Sequence, residues 1–391
     1  MVTVATFVAD TTTPVRVYMA LRRAAGDSAS FLLERSLGEP GRRHSIVGYR
    51  PRHEITLQSS GHWVGARGLP HGMRPVAGAR DALDAAGSLF DPGDQAGAAE
   101  HPAARFARSY VGYLAWDAVH AIDKASGSAH RGSAPLARFF GGATVVVFDA
   151  PSHTAAIAGE DPADVERARA HLERAPPPAG VAVPRRAHGP TDAELDVDDT
   201  AFAEAVRRAQ KRIAAGDARE VVLSRRFAVE RAGRDPFEAY RAMRALEPSP
   251  YTFFLDLPPA PGERTRTQIA GASGETLVRA EGGRAPPWDV VRAAFPAASV
   301  SGDPKGRAAS VIRELESGPR GPYGGAVGHI TKWGELDFAS ATGTLVCKDD
   351  RFVVSAGASV VAETDPADAS DRAREKARGM LAAIGAATPA A

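Results

Sequence analysis

The sequence predicts a mixed α/β (α+β) protein, and three observations predict it. Short runs of alternating or continuous apolar residues, at 30–34, 45–49 and 143–148, read as strands. Segments of helical spacing, such as Phe202, Val206, Ala209 and Ile213, are interleaved with them. The composition is globular: 44% hydrophobic and 24% charged residues in a chain of 391 exclude wholesale disorder, collagen and coiled coil.

Taken in order, the spacing of Val17, Leu21 and Ala24 predicts a helix over 14–24. The strand at 143–148 is ended by Asp149-Ala-Pro151, and residues 85–104, rich in Gly, Ala, Asp and Pro, are expected as loop. A polar helix covers 162–174. A Pro-rich connector over 175–190 then marks the domain boundary, giving an N-terminal domain of 1–174, a linker of 175–195 and a second domain of 196–391. Thr200 is placed to cap a helix that Gly216-Asp217 stops. A strand follows at 220–229, and Asp235-Pro236 opens a helix in the favoured cap-then-proline order. Strands are expected at 251–257, 268–272 and 276–280. A helix over 304–316 sets Ala308, Val311, Ile312 and Leu315 on one face. Strands at 323–331, 341–347 and 351–356 follow, the last two joined by a Lys348-Asp349-Asp350 turn. A helix over 366–384 closes the chain.

The net charge of +1, from 48 basic and 47 acidic residues, gives no field to hold a nucleic-acid backbone or an anionic membrane. The single cysteine, Cys347, excludes an internal disulfide and a Cys-based zinc cage, and reads as a small buried hydrophobe. The first residues show no basic region followed by an apolar run, and no stretch reaches the roughly 18 apolar residues of a membrane span, so a cytoplasmic protein is expected. Glycine-rich pieces at 271–274, 324–328 and 357–359 fit neither a phosphate-cradling loop nor a dinucleotide fingerprint. Singly, each reads as a tight turn. The histidines show no metal-ligand spacing.

The order of longer strings says more. Residues 216–227 come first, then Pro248-Ser-Pro-Tyr251, Gly271-Ala-Ser-Gly-Glu275 and Glu281-Gly-Gly-Arg284. Ser299-Val-Ser-Gly-Asp-Pro-Lys305, Arg320-Gly-Pro-Tyr-Gly-Gly-Ala-Val-Gly328 and Ala356-Gly-Ala358 follow, and Lys376-Ala-Arg378 ends the series. Together with Phe31-Leu-Leu-Glu34, Ser45-Ile-Val-Gly48 and Val111-Gly-Tyr113, the series resembles the chorismate-utilising family. It is closest to the anthranilate synthase component I and aminodeoxychorismate synthase component I branches.

That resemblance implies a two-lobed fold, with antiparallel sheets at its centre and helices outside. It implies lyase chemistry on chorismate in aromatic amino acid and tryptophan biosynthesis, with Mg²⁺ between the lobes and ammonia from a glutamine amidotransferase partner. Carried over by motif, Tyr323, Gly324, Gly325, Gly357, Ala358, Lys305 and Ser301 are the candidates to bind a small carboxylate such as chorismate. Glu220 is the candidate general base. A tryptophan-like regulatory pocket would use Glu34, Ser36, Pro248, Ser249 and Tyr251.

The chain also departs from the pattern. The family's long central stretch, which carries one Mg²⁺-binding Glu and an active-site His, is missing after Arg284. Only Ala285-Pro-Pro287 leads to Trp288-Asp-Val-Val-Arg-Ala-Ala-Phe-Pro296. The position of the second Mg²⁺-binding Glu is Arg372, a cation with no lone pair to offer a hard metal. Asp368 and Asp371 lie nearby. Gly343 stands where the family has a carboxylate-binding Arg, and Ser359 breaks the Gly-Ala-Gly turn. In the regulatory motifs Arg35, Glu247 and Thr252 replace Ser, Asn and Met. The expectation is therefore no metal ligand and no retained cofactor, and a pseudoenzyme with its lyase activity lost. One alternative is a working enzyme with relocated residues (an anthranilate, aminodeoxychorismate or aminodeoxyisochorismate synthase). The other is a non-catalytic partner of a glutamine amidotransferase. The deletion should also bare sheet edges and apolar faces, unless Pro286-Pro287-Trp288 plugs the gap.

Overall fold

Two antiparallel sheets, each drawing strands from both sides of the Pro-rich connector, carry the fold. The computed structural model describes residues 2–35, 44–58, 63–65, 101–127, 134–176, 180, 193–281, 286–331 and 333–388. The large sheet runs β1 (Thr3–Val8), β9 (Thr154–Gly159), β8 (Thr144–Asp149), β3 (His44–Tyr49), β2 (Ser30–Arg35), β12 (Tyr251–Leu257), β13 (Thr267–Ser273), β18 (Gly343–Lys348), β19 (Arg351–Val360), β11 (Glu220–Glu230) and β10 (Glu194–Leu195). A short strand, β15 (Gly302–Asp303), also pairs with β11. The smaller sheet runs β14 (Thr276–Ala280), β17 (Leu336–Ser340), β16 (Ala326–Ile330), β6 (Tyr110–Leu114), β7 (Ala137–Gly141), β4 (His53–Leu57) and β5 (Trp63–Gly65). The two halves of the chain join at β2–β12 in one sheet and at β6–β16 in the other.

The helices are α1 (Pro14–Ala25), α2 (Pro102–Ala107), α3 (Val119–Ile122), α4 (Pro162–Arg174), α5 (Asp199–Ala214), α6 (Pro236–Leu246), α7 (Pro287–Ala294), α8 (Ala298–Ser301), α9 (Lys305–Leu315) and α10 (Pro366–Ala386); α2 packs on the core between the sheets, its Phe106 between His44 and His329. Asp161, Asp235 and Asp365 each cap a helix that starts with proline, their carboxylates accepting from first-turn N–H groups. At α5 the cap is Asp198, which accepts from the Ala201 N–H at 2.8 Å, and not Thr200 as expected. The extended backbone of Asp198 puts its carboxylate over the helix end, whereas Thr200 is already inside the first turn.

The expected strand over 323–331 begins only at Ala326, because Gly321 and Gly324 hold a turn at φ 63° and 74°. Leu336–Ser340 is a strand that no alternation announced: all five residues are buried, so no polar face marks it. The last hairpin turns at Asp349 and Asp350 with φ 49° and 58°, as a two-residue hairpin requires. Residues 85–100 lie outside the described residues, and 102–104 belong to α2 rather than to a loop.

Apolar side chains pack in three places. Phe31, Leu33, Val111, Phe253 and Val327 fill the space between the sheets. Tyr18, Phe237, Phe254 and Met380 pack α1, α6 and α10 onto the large sheet. Phe139, Trp288 and Phe338 lie on the far face of the small sheet, in a cluster that extends to Phe202 of α5 beside β11. Cys347 is buried and free, and burial pushes its thiol up to about 12. Among the described residues no helix is long and apolar enough to cross a membrane.

Where the resemblance implies a deletion, β14 ends at Ala280 and α7 starts at Pro287. Pro286 is exposed, but Pro287 and Trp288 are buried, and Trp288 stands edge-on to Phe139 at 6.3 Å. The apolar face is thus covered. β14 stays an edge strand, with a bulge between Thr276 and Val278 that disturbs its ladder.

Candidate functional site

The motif residues converge on the turn between α9 and β16. Arg320 is its anchor. Nε donates to Glu316 Oε2 (2.9 Å) and Nη2 to Glu316 Oε1 (2.6 Å). Nη1 reaches the Val300 carbonyl (2.5 Å) and Nη2 also the Val222 carbonyl (2.6 Å). Glu316 Oε1 accepts in turn from the Ser224 N–H (2.7 Å) and hydroxyl (3.0 Å). The ion pair thereby ties the end of α9 to β11.

From the N-terminal side, residues just after β6 support the same turn. The Arg320 guanidinium carbon lies 4.5 Å from the Trp116 ring centroid, and Trp116 Nε1 donates to Ser301 Oγ at 2.9 Å. Asp117 Oδ2 accepts from the Gly321 N–H at 2.8 Å, while the Gly321 carbonyl accepts from the Trp116 N–H at 2.9 Å. Asp117 is buried, burial raises its carboxyl pKa, and its Oδ1 has no partner. Trp116, Asp117, Glu316 and Arg320 were not among the sequence candidates, although Arg320 heads one of the quoted motifs.

Tyr323 follows, with its hydroxyl pushed up to about 12 by burial. A Cβ at Gly357 would lie 2.5 Å from the Leu223 carbonyl oxygen and 3.0 Å from the Tyr323 hydroxyl, so glycine lets the tyrosine approach β19. Tyr323, Gly324, Gly325, Ser301, Gly357 and Ala358 therefore belong to one neighbourhood. Glu220, at the start of β11, is engaged: its Oε1 accepts from Ser359 Oγ at 2.5 Å. Lys305 donates to the Ala294 carbonyl (2.6 Å) and lines a separate cavity of about 400 Å³ with Phe295, Arg292 and Asp123. Burial lowers its pKa.

At Gly343 a Cβ would stand 2.7 Å from the Ala272 carbonyl oxygen and 2.9 Å from Met380 Cε. A side chain there would require the backbone to move. Arg372, Asp368 and Asp371 are exposed on α10. Among the described residues no three His, Cys, Asp or Glu side chains are grouped to hold a metal ion. Arg372, at one of the positions where the resemblance implies a Mg²⁺ ligand, offers no lone pair to a hard cation.

The regulatory candidates divide. Glu34 and Tyr251 line a cavity of about 250 Å³ with Arg35, His329 and Asp337. Glu34 is buried, which raises its pKa against the opposing pull of Arg244, and it accepts from the Tyr240 hydroxyl (2.5 Å) and Arg244 Nη2 (3.0 Å). Arg35 pairs with Asp337 across the two sheets. Pro248 and Ser249 do not line this cavity; Ser249 Oγ donates to the Glu247 carbonyl. Ser36 lies outside the described residues. Burial lowers the His329 pKa from 6.5 to about 4, opposed by Asp337 and assisted by Arg279, His44 and Arg35. A depressed histidine stabilises the fold above its ordinary pKa and loses that contribution as pH falls through its folded value. Stability should therefore drop between about pH 6.5 and pH 4. Urea unfolding at pH 7 and pH 5 should show a smaller difference in His329→Gln than in the parent.

The model of the chorismate binding enzyme family matches residues 29–286 and 284–382, two segments that meet at the short β14–α7 connection. Anthranilate synthase component 1 of Streptomyces coelicolor is 29% identical over 487 aligned positions, covering 98% of this chain and 89% of that protein. Its Thermus thermophilus counterpart is 29% identical, covering 97% and 96%. The alignment with the Streptomyces protein is longer than the 391-residue chain, so that relative carries residues that have no counterpart here. Among solved structures, anthranilate synthase component I from Streptococcus pneumoniae superposes with a TM-score of 0.70 at 22% identity, over 88% of this chain and 93% of that one. The menaquinone-specific isochorismate synthase of Escherichia coli gives 0.65 at 15%, over 98% and 95%. These two likenesses bear on the fold and agree with the two-sheet architecture.

Proposed function

The chain belongs to the chorismate binding enzyme family, and from that premise we propose an anthranilate synthase component I-like protein that holds a small carboxylate such as chorismate without the Mg²⁺-dependent lyase step. One observation carries this reading. Only residues 281–286 separate β14 from α7, and the buried Trp288 closes the junction, so the chain has no segment there to contribute metal or proton-transfer groups. Two further features support it. Arg372 presents a cation where the family motif has a carboxylate, and the backbone around Gly343 leaves no room for a guanidinium. Losses of single electrostatic contacts of this kind cost about 10²–10³ in rate. What is retained is the turn 320–325 with Tyr323 against Gly357. We place the protein in aromatic amino acid metabolism, in the tryptophan branch, with a glutamine amidotransferase as the partner to seek by co-purification.

Purified protein given chorismate, Mg²⁺ and ammonia should form no fluorescent anthranilate above background, and formation at an ordinary enzyme rate would overturn the proposal. Chorismate titrations with and without Mg²⁺ should give the same affinity. A strong dependence on Mg²⁺ would speak for a working enzyme with relocated ligands.

A further inference from the structure

We propose that the groove between β1, α1 and α4 binds a small organic monocarboxylate, its apolar body inside and its carboxylate on Arg16. The cavity holds about 360 Å³, within the size range of small-molecule sites. It shares no lining residue with the cavity around Arg35 and Asp337. Phe7, Val17, Ile157 and Leu172 line its walls. Val8 lines it too and is 67% exposed.

Charge says what kind of ligand. Arg16 Nη2 donates to the Ala175 carbonyl at 3.1 Å, and among the described residues no carboxylate pairs with this guanidinium. Its nearest charged neighbours in the lining, Arg169 and Glu173, pair with each other at 3.2 Å. One positive charge is therefore left without a carboxylate in a cavity whose lining mixes apolar walls with Thr6, Thr11 and Thr12. A neutral apolar molecule would bring it no counter-charge, and a dianion would bring one negative charge more than the guanidinium balances. A monocarboxylate satisfies both parts: its body leaves water, and its head makes a forked, charge-assisted hydrogen bond.

The test is titration calorimetry on the full chain with benzoate and with hexanoate, and with benzamide as the uncharged control. At least one acid should bind. Arg16→Gln should weaken it by about tenfold or more, the usual loss for a charged hydrogen bond, while Arg16→Lys, which keeps the charge but not the fork, should fall in between. Benzamide should bind more weakly than benzoate and be indifferent to Arg16. Preference for benzoate would identify an aromatic ligand class, and preference for hexanoate an aliphatic one. Thermal melts of the variants should match the parent. If neither acid binds, or if binding is unchanged in Arg16→Gln, the proposal fails.

Discussion

Arg320→Ala should lower the free energy of unfolding by about 3–5 kcal/mol, the range for breaking a buried ion pair from one side. The Arg320 side chain is 2% exposed and that of Glu316 9%, so neither charge is solvated in the fold. Arg320 saturates four acceptor sites: both Glu316 oxygens and the carbonyls of Val222 and Val300. Alanine leaves all of them facing a void. Ser224 still donates twice to Glu316 Oε1, which keeps the loss from being larger. Arg320→Lys should fall in between, because an ammonium keeps the charge but cannot span four acceptors with a planar fork. Arg320→Met combined with Glu316→Leu should recover much of the loss, since the stranded carboxylate is the main cost. Urea unfolding at pH 7, followed by tryptophan fluorescence, measures all four proteins. A value for Arg320→Ala within about 1 kcal/mol of the parent would mean that the pair is solvated, as exposed ion pairs are.

The same cluster shows what a sequence can and cannot disclose. Helix starts were legible wherever a local device fixes them, as in the Asp-Pro caps at 161, 235 and 365. They slipped at Asp198, where three polar candidates stand in a row and only the backbone decides among them. Tyr323, Gly324, Gly325 and Gly357 were legible as motifs, and the structure brings them together because glycine at 357 lets the tyrosine hydroxyl close on β19. Lys305 and Glu220 belong to the same motifs, yet they are turned to Ala294 and Ser359. Spacing along a chain does not record which hydrogen-bond partner a side chain finds. Trp116 and Asp117 were silent because their partners are remote: the Asp117–Gly321 bond spans 204 residues. The mixing of both halves of the chain within each sheet was hidden for the same reason. β2 and β12 are each plausible strands, but their register exists only between them.

Trp288→Ala is expected to cost about 3–5 kcal/mol, as large-to-small substitutions of buried aromatics do. Its effect should also differ in kind from that of Arg320→Ala. Trp288 is 1% exposed and stands at 82° to Phe139, which itself meets Phe338 edge-on, so three rings cover the far face of the small sheet. Val291, one turn along α7, belongs to the same cluster. Without the indole, α7 loses its main hold on this face, and the bulged edge of β14 stands beside newly opened apolar surface. Such a surface invites association, so the variant should show concentration-dependent light scattering and bind a hydrophobic dye, neither of which Arg320→Ala should do. Trp288→Phe should retain most of the stability, because a smaller ring can still meet Phe139 edge-on. A Trp288→Ala protein that stays monomeric, binds no dye and unfolds within about 1 kcal/mol of the parent would show that other residues seal the junction. The large-loss outcome would instead fix the tryptophan as the residue that seals the short passage from β14 to α7.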